Sequence, residues 1–397
     1  MTTTKNNEHK KLNVPNLRFP EFQGGWKEER LADIADLYKG TGISKDQLSD
    51  DGEPCILYGE LYTKYKSETI REVISKTNIN NTKLVRSKAN DVIIPCSGET
   101  AEDIATARCV LNGNILLGGD LNIIRLHGYD GAFMSYQLNG RCKYDIAKVA
   151  QGVSVVHLYG EHLKGVKTIN PCLEEQKKIA KLLSLLDERI ATQNKIIEDL
   201  KKLKCAIIEK VYSEIQGKEY SYGQLFDVVN ERNKQMEYSN ILSASQEKGM
   251  VNRDDLNLDI QFERSNINTY KIVKKGDYVI HLRSFQGGFA FSDKLGVCSP
   301  AYTILRPNSI LEYGYLSNYF TSQRFIKSLV LVTYGIRDGR SINVEEWLRM
   351  KITIPPKEHQ QYIVKVIGTF ERKIEDEEAY AAQLSKQKQY LLRQMFI

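Results

Sequence analysis

The chain has 397 residues, enough for two or three domains with real cores, and its 41% hydrophobic and 27% charged residues are ordinary for a globular protein. No apolar run approaches the roughly 20 residues of a membrane span, and the polar N-terminus lacks a signal peptide's apolar core, so the expected location is the cytoplasm. A formal charge of +6 permits a nucleic-acid partner without demanding one, so such a partner has to be argued from organisation.

Residues 1–25 read as an arm, whose segment Pro15–Phe22 carries prolines in an apolar-basic stretch and suits an extended path over a surface. Residues 26–171 form a first globular region. Its strand-like runs are Cys55–Tyr58, Asp91–Pro95, Ile115–Leu117 and Leu121–Leu126, divided by Gly, Asn and Asp clusters that make turns. Helical pieces are expected over Arg30–Tyr38 and Ala132–Asn139.

A helical spacer follows over 172–215, then a second globular region over 216–354 and a second spacer over 355–397. The spacers carry the strongest pattern in the chain. The first has a stripe of Ile179, Leu183, Leu186, Ile190, Gln193, Ile197, Leu200, Lys204, Ile207 and Val211. The second repeats it 184 residues later with Ile363, Ile367, Phe370, Ile374, Glu377, Ala381, Leu384, Lys388, Leu391 and Met395. Steps of four and three in strict alternation keep such a stripe on one side of two supercoiled helices. About 40 residues at 1.5 Å each give roughly 60 Å of helix, and neither helix hides its stripe alone. Packed together they bury both. A lysine in a buried seam costs stability, so the shared Lys204 and Lys388 are read as setting which helix pairs with which.

The globular regions also match in order. Leu31-Ala-Asp-Ile-Ala pairs with Leu225-Phe-Asp-Val-Val, and the segment from Lys83 to Ile94 pairs with Tyr270 to His281. Asp120 to Leu126 then pairs with Pro300 to Arg306. Each spacer opens with a Pro-x-x-Glu-x-Gln preface, Pro171–Gln176 and Pro355–Gln360. Pro356 and His359 in the second preface stand where the first has Cys172 and Glu175.

Two variable domains, each followed by a long helix of near-constant pattern, resemble the specificity subunit of a type I restriction-modification system. The resemblance covers the chain after about residue 12 and is carried by the arm Pro15–Trp26, the Asp91–Pro95 strand with Ser97-Gly98, and the two prefaces. It implies an α/β (α+β) chain of two similar target-recognition domains joined by two long helices forming an antiparallel coiled coil, related by a pseudo-twofold duplication. It also implies that each domain reads one half of a bipartite site in double-stranded DNA. The helices would fix the unread gap and dock two methyltransferase subunits, with endonuclease/translocase subunits completing a cleaving complex. The chain itself would be non-catalytic and hold no cofactor; S-adenosylmethionine, ATP and Mg would belong to the partner subunits.

Chemistry-bearing motifs are missing, in keeping with that reading. Asn170-Pro171-Cys172 and Ile354-Pro355-Pro356-Lys357 lack the residues with which an adenine methyltransferase grips a flipped base. Gly335-Ile-Arg-Asp-Gly-Arg340-Ser341 has neither the spacing nor the lysine of a phosphate-binding P-loop. The seven cysteines (Cys55, Cys96, Cys109, Cys142, Cys172, Cys205, Cys298) are scattered and read as small buried side chains. His157 and His162 are the one close histidine pair, with no cysteine at ligand spacing, so no metal site is expected.

DNA contacts are expected on loops, because Arg and Lys fork onto guanine, Gln onto adenine, and Gly admits a close backbone approach to phosphate. In the first domain the candidates are Lys39, Gly40, Thr41 and Lys45, with Ser97, Gly98 and Thr100. In the second they are Lys248, Arg283, Gln286, Gly287, Arg337 and Arg340, with Arg283 and Gln286 favoured as base readers. Gly287-Gly288 equally suits a hairpin turn. A different class of reading, a protein-binding coiled-coil scaffold without DNA specificity, stays open because the helices carry mixed charge.

Overall fold

The structure, a computed structural model, describes residues 13–80, 83–152, 155–245, 248–255, 264–281, 288–334 and 341–397. It divides into two compact units: residues through Asn194 with Ala379–Ile397, and Lys195–Glu378. The two long helices, Leu173–Glu214 and Lys357–Met395, each contribute one half to each unit. Among the described residues no helix is long and apolar enough to cross a membrane.

In the first unit, Lys27–Arg30 pairs antiparallel with Lys167–Asn170, which closes the globular domain at its base. The main sheet runs Ala35–Lys39, Leu121–Leu126, Asp91–Pro95, Arg108–Val110, Thr69–Ile70, with only the last pair parallel. Both faces of its centre are buried. Val92, Ile94 and Ile124 pack against Met134 and Leu138 on one side, while Ile93, Leu121 and Ile123 pack against Ile56 and Leu117 on the other. Alternation by two residues on a strand produces this division. A second five-stranded sheet holds Glu53–Ile56 and Leu116–Leu117 at its centre.

The second unit repeats the base with Lys218–Ser221 antiparallel to Lys351–Ile354. Its sheet runs Phe226–Val229, Thr303–Pro307, Tyr278–Ile280, Phe289–Phe291, all antiparallel. Its core is aromatic where that of the first unit is aliphatic. Trp347 stacks on Tyr222 with ring centroids 4.2 Å apart, and Phe289, Phe320 and Phe325 surround them.

The expected strands Asp91–Pro95 and Leu121–Leu126 form over those residues, and the expected helix at Ala132 spans Gly131–Asn139. The strand expected at Cys55–Tyr58 lies at Glu53–Ile56, and that at Ile115–Leu117 is Leu116–Leu117. The helix expected over Arg30–Tyr38 is overturned. Only Leu31–Ile34 is helical, and Ala35–Lys39 is a strand drawn into the sheet by five backbone partners on Asn122 to Leu126. Tertiary pairing overrides a weak local preference there.

The internal matches keep their order but shift in register. The turn Leu31–Ile34 corresponds to Tyr222–Leu225, so Ile34, not Leu31, matches Leu225. The other two matches move by one residue, and an ion pair identifies the true register. Arg125 forks onto Asp91 at 2.9 and 2.8 Å, and Asp91 accepts the Lys88 N–H at 2.7 Å. Arg306 forks onto Asp277 at 2.9 Å twice, and Asp277 accepts the Lys274 N–H at 2.8 Å. Asn90 and Gly276, one residue before each aspartate, both have positive φ (78° and 97°).

The preface glutamine does the same work in both units. Gln176, 1% exposed, donates to the Pro171 carbonyl at 2.8 Å and accepts the Asp130 N–H at 2.9 Å. Gln360, also 1% exposed, donates to the Pro355 and Ile310 carbonyls at 2.9 and 3.0 Å and accepts the Glu312 N–H at 2.7 Å. Each amide ties the first turn of a long helix to its globular domain. The differing neighbour has a local cause: Glu175 is buried and receives a fork from Arg18 of the arm, both bonds 2.7 Å. His359 is exposed and the second helix begins normally without such a partner.

Losing a buried amide leaves its backbone partners unpaired, at a cost of about 1–3 kcal/mol. Gln360→Ala should therefore speed amide hydrogen exchange in the second unit about ten-fold or more while leaving the first unit unchanged. Uniform acceleration in both units would contradict this.

Candidate nucleic-acid interface

One end of the first unit's main sheet gathers several of the expected contact residues. Lys39 ends its strand, and the Gly40 N–H donates to the Leu121 carbonyl at 2.9 Å. The Cys96 N–H donates to the Asp120 carbonyl at 2.7 Å, and the Leu158 N–H donates to the Cys96 carbonyl at 2.9 Å. These bonds place Lys39, Asp120, Ser97 and the segment around Leu158 on the same edge. The Lys39 ammonium stands 4.0 Å from the Asp120 carboxylate with both side chains largely exposed, a weak pair that leaves the lysine available.

Other candidates carry structural duties. A Cβ on Gly40 would stand 2.0 Å from the Gly118 carbonyl oxygen, so close packing alone demands glycine there. The Thr41 hydroxyl donates to the Lys83 carbonyl at 3.3 Å and accepts the Val85 N–H at 3.0 Å. Thr100 caps the turn Ala101–Ile104, accepting the Asp103 N–H at 3.0 Å. Ser97–Gly98 forms a short antiparallel pair with Val156–His157. Lys45 is exposed at the start of a 3-10 turn, apart from these on the second sheet's side. Glu99 and, on the helical turn Ala101–Ile104, Glu102 and Asp103 make the segment after Ser97 acidic.

In the second unit Lys248 is exposed beside Gly249, at the tip of the hairpin Leu242–Ser245 with Gly249–Asn252. Arg283, Gln286, Gly287, Arg337 and Arg340 lie outside the described residues. The strands that bracket them are hairpin partners: Tyr278–Ile280 with Phe289–Phe291, and Thr333–Tyr334 with Ser341–Ile342. The His281 N–H donates to the Gly288 carbonyl at 2.8 Å, and the Gly287-Gly288 turn expectation falls in part outside the described residues.

The segment Val155–Tyr159 alternates in burial, with Val156 and Leu158 buried and Val155, His157 and Tyr159 exposed; the apolar Val155 masks that period in the sequence. His157 and His162 flank Tyr159, stacked and edge-on at centroid distances of 6.3 and 5.6 Å. Among the described residues no group of three or more His, Cys, Asp or Glu side chains is placed to hold a metal ion. All seven cysteines are free. Five are buried, and Cys172 and Cys205 are exposed, against the expectation for those two. Burial pushes the Cys55 and Cys96 thiols up to about 11, so neither is a nucleophile at neutral pH. An open cleft of about 330 Å³ is lined by Asp36, Lys88, Arg125 and His127; Arg125 pairs with Asp91 at 2.8 Å, and the His127 ring lies 3.0 Å from the Asp36 carboxylate.

The stripe residues Ile179, Leu183, Leu186, Ile190, Leu200 and Lys204, and Ile363, Ile367, Phe370, Ile374, Leu384 and Lys388, are all buried or half-buried. Within the first unit Ile179 and Leu183 share a cluster with Leu391 and Met395, and Asp187 meets Lys388 at 2.6 Å. Within the second, Lys201 meets Glu378 at 2.6 Å, Lys204 meets Glu371 at 2.7 Å, and Ile208 clusters with Ile367. Rising numbers on one helix meet falling numbers on the other, so the halves pair antiparallel in each unit. Asp187 and Glu371 are themselves 184 residues apart, so the two lysine–carboxylate contacts are one contact made twice.

The surroundings of the two copies differ. Lys204 and Glu371 are 23% and 41% exposed. Lys388 is sunk between Asp187 and Glu68, 2.6 Å from each, with Tyr136 and Ser67 donating to Asp187 at 2.7 and 3.0 Å. Burial opposes the Lys388 charge, but the two carboxylates outweigh it and hold the ammonium above its ordinary range. The lysine's own contribution is thus present below the usual lysine pKa and falls away as pH rises beyond it, while on the acid side burial raises the Glu68 carboxyl, so its protonation removes that half of the contact. Lys388→Leu would strand two buried carboxylates and should cost roughly 3–5 kcal/mol. Lys204→Leu should stay within about 1 kcal/mol. Urea unfolding of the two variants checks the asymmetry, and equal losses would refute it.

The profile of a family described as "Type I restriction modification DNA specificity domain" matches residues 23–202 and again 217–386. The Type I restriction enzyme MjaVIII specificity subunit of Methanocaldococcus jannaschii is 28% identical over 198 residues, 50% of this chain and 43% of that protein. The putative type I restriction enzyme MjaX specificity subunit of the same organism is 22% identical across 97% of this chain and 96% of its own length. In fold, the chain is similar to the type I restriction-modification S subunit from M. genitalium, with a TM-score of 0.60, 15% identity, and 97% and 99% of the two chains covered. A chain from a structure described as showing complex assembly and conformational transition of the type I R-M system gives a TM-score of 0.56 at 15% identity, covering 94% of this chain and 97% of its own.

Proposed function

Because the chain belongs to the type I restriction-modification DNA specificity family, we propose that it is the sequence-reading subunit of a methyltransferase complex acting on a bipartite DNA target with a fixed gap. The observation that carries this reading is the duplication. One kind of domain occurs twice, each fixed by a buried glutamine to halves of the same two antiparallel helices, while the loops and cores of the copies differ. Continuous helices suit a ruler, and differing loops suit two different half-sites.

In the first domain Lys39 and Ser97 are the base- and phosphate-contacting candidates that the sheet edge brings together, and Lys45 adds positive charge. In the second, Lys248 at a hairpin tip takes that role together with Arg283, Gln286, Gly287, Arg337 and Arg340. The helices present exposed apolar side chains, among them Leu185, Ile196, Leu203, Tyr362 and Tyr390, which suit docking of two methyltransferase subunits and, with them, endonuclease subunits. Methyl donor, ATP and Mg would be bound on those partners.

Co-expression with a methyltransferase subunit in a host lacking adenine methylation, followed by long-read detection of modified bases, tests the proposal. A bipartite motif that requires this chain is the expected result. No new methylation from a complex shown to assemble would favour a protein-binding scaffold instead. Arg283→Ala should cost about 1–3 kcal/mol of recognition at one half-site only. DNA binding by the assembled complex should weaken steeply with salt as phosphate contacts release counterions.

A further inference from the structure

We infer that His157 and Tyr159 are specificity-determining residues that read base edges in the half-site of the first domain, an assignment that rests on the DNA-recognition reading above. Both rings are exposed, Tyr159 by 52%, yet the backbone that carries them is held on several sides. The His157 N–H donates to the Gln151 carbonyl at 2.7 Å and its carbonyl accepts the Gln151 N–H at 2.9 Å. The Leu158 N–H donates to the Cys96 carbonyl at 2.9 Å, and the buried Asn122 amide donates to the Leu158 carbonyl at 2.9 Å. Val156 and Leu158 anchor the segment in the core below. Rigid rings on a fixed strand present contact area without a large loss of side-chain freedom on binding.

The imidazole is also oriented. Its Nδ1 lies 3.4 Å from the Ser97 hydroxyl, and its ring stacks at 24° on that of Tyr159. That leaves Nε2 to meet a base edge, donating to a purine N7 or to guanine O6 in the tautomer that carries its hydrogen. The tyrosine ring is suited to a thymine methyl, and its hydroxyl to a base or phosphate oxygen. Two other exposed tyrosines of this unit are faced by cations, Tyr38 by Arg125 at 4.9 Å and Tyr144 by Lys148 at 4.3 Å. The neighbouring Glu99 and Glu102 disfavour a phosphate strand over this loop, so the two rings are the groups that can approach the groove floor, with Lys39 on the same edge supplying the positive charge.

The test uses the full chain co-expressed with its methyltransferase subunit, comparing the methylomes of wild type, His157→Ala, Tyr159→Ala and Tyr159→Phe. The expected result is a ten-fold or greater loss of preference at one or two positions of a single half-site. The other half-site and the gap should stay unchanged. Unaltered base preference in His157→Ala and Tyr159→Ala would overturn the inference, as would equal loss at both half-sites in a complex of unchanged mass. If an alanine variant fails to assemble, His157→Gln and Tyr159→Phe decide by the same criterion. A wild-type chain that directs no bipartite methylation overturns both this inference and the reading beneath it. A wild-type motif that the variants leave intact overturns this inference alone.

Discussion

Each long helix enters its globular domain under a side-chain amide that is 1% exposed. Gln176 and Gln360 bond backbone groups on both sides of the helix entry, the preface carbonyl before it and a loop N–H of the domain. A buried amide must satisfy its donors and acceptor together, and only one placement of helix against domain does so. The orientation of everything the domain displays follows from that placement. The Asp91–Arg125 and Asp277–Arg306 forks then fix the central strands within each domain, so the loops at the strand ends inherit a defined direction.

The helix seam adds a different kind of constraint. The same lysine–carboxylate contact is made twice, yet it is half-exposed at Lys204 and sunk at Lys388, where Glu68 of the first domain joins it. Duplication therefore preserved a pairing rule while burial redistributed its energetic weight. Where water screens the contact it weighs little in stability; where it is sealed it also binds domain to helix.

Much of this was legible in the sequence. The stripes, their polar breaks and the two prefaces announced both long helices, because an apolar stripe stepping by four and three over ten positions fits a helix and neither a strand nor a loop. The strands Asp91–Pro95 and Leu121–Leu126 were legible as apolar runs between turn residues. The register of the internal repeat was not, because Asp91 meets Arg125 and Asp277 meets Arg306 only in three dimensions, and short matches of common residues favoured slipped alignments. The strand Ala35–Lys39 was hidden for the same reason: its partners, Asn122 to Leu126, lie far along the chain. Of the expected contact residues, Gly40 and Thr100 also have packing and capping duties, which a loop sequence does not distinguish from binding.

The short strand pairs at the base of each domain carry a consequence of their own. Lys27–Arg30 lies beside Lys167–Asn170, and Lys218–Ser221 beside Lys351–Ile354, so the chain enters and leaves each domain through adjacent strands. A module whose two ends emerge side by side is an exchangeable cassette. Its loops can lengthen, or its core differ as the aliphatic and aromatic cores of the two units do, while the flanking helices keep their lengths, so an insert can change without a change of frame.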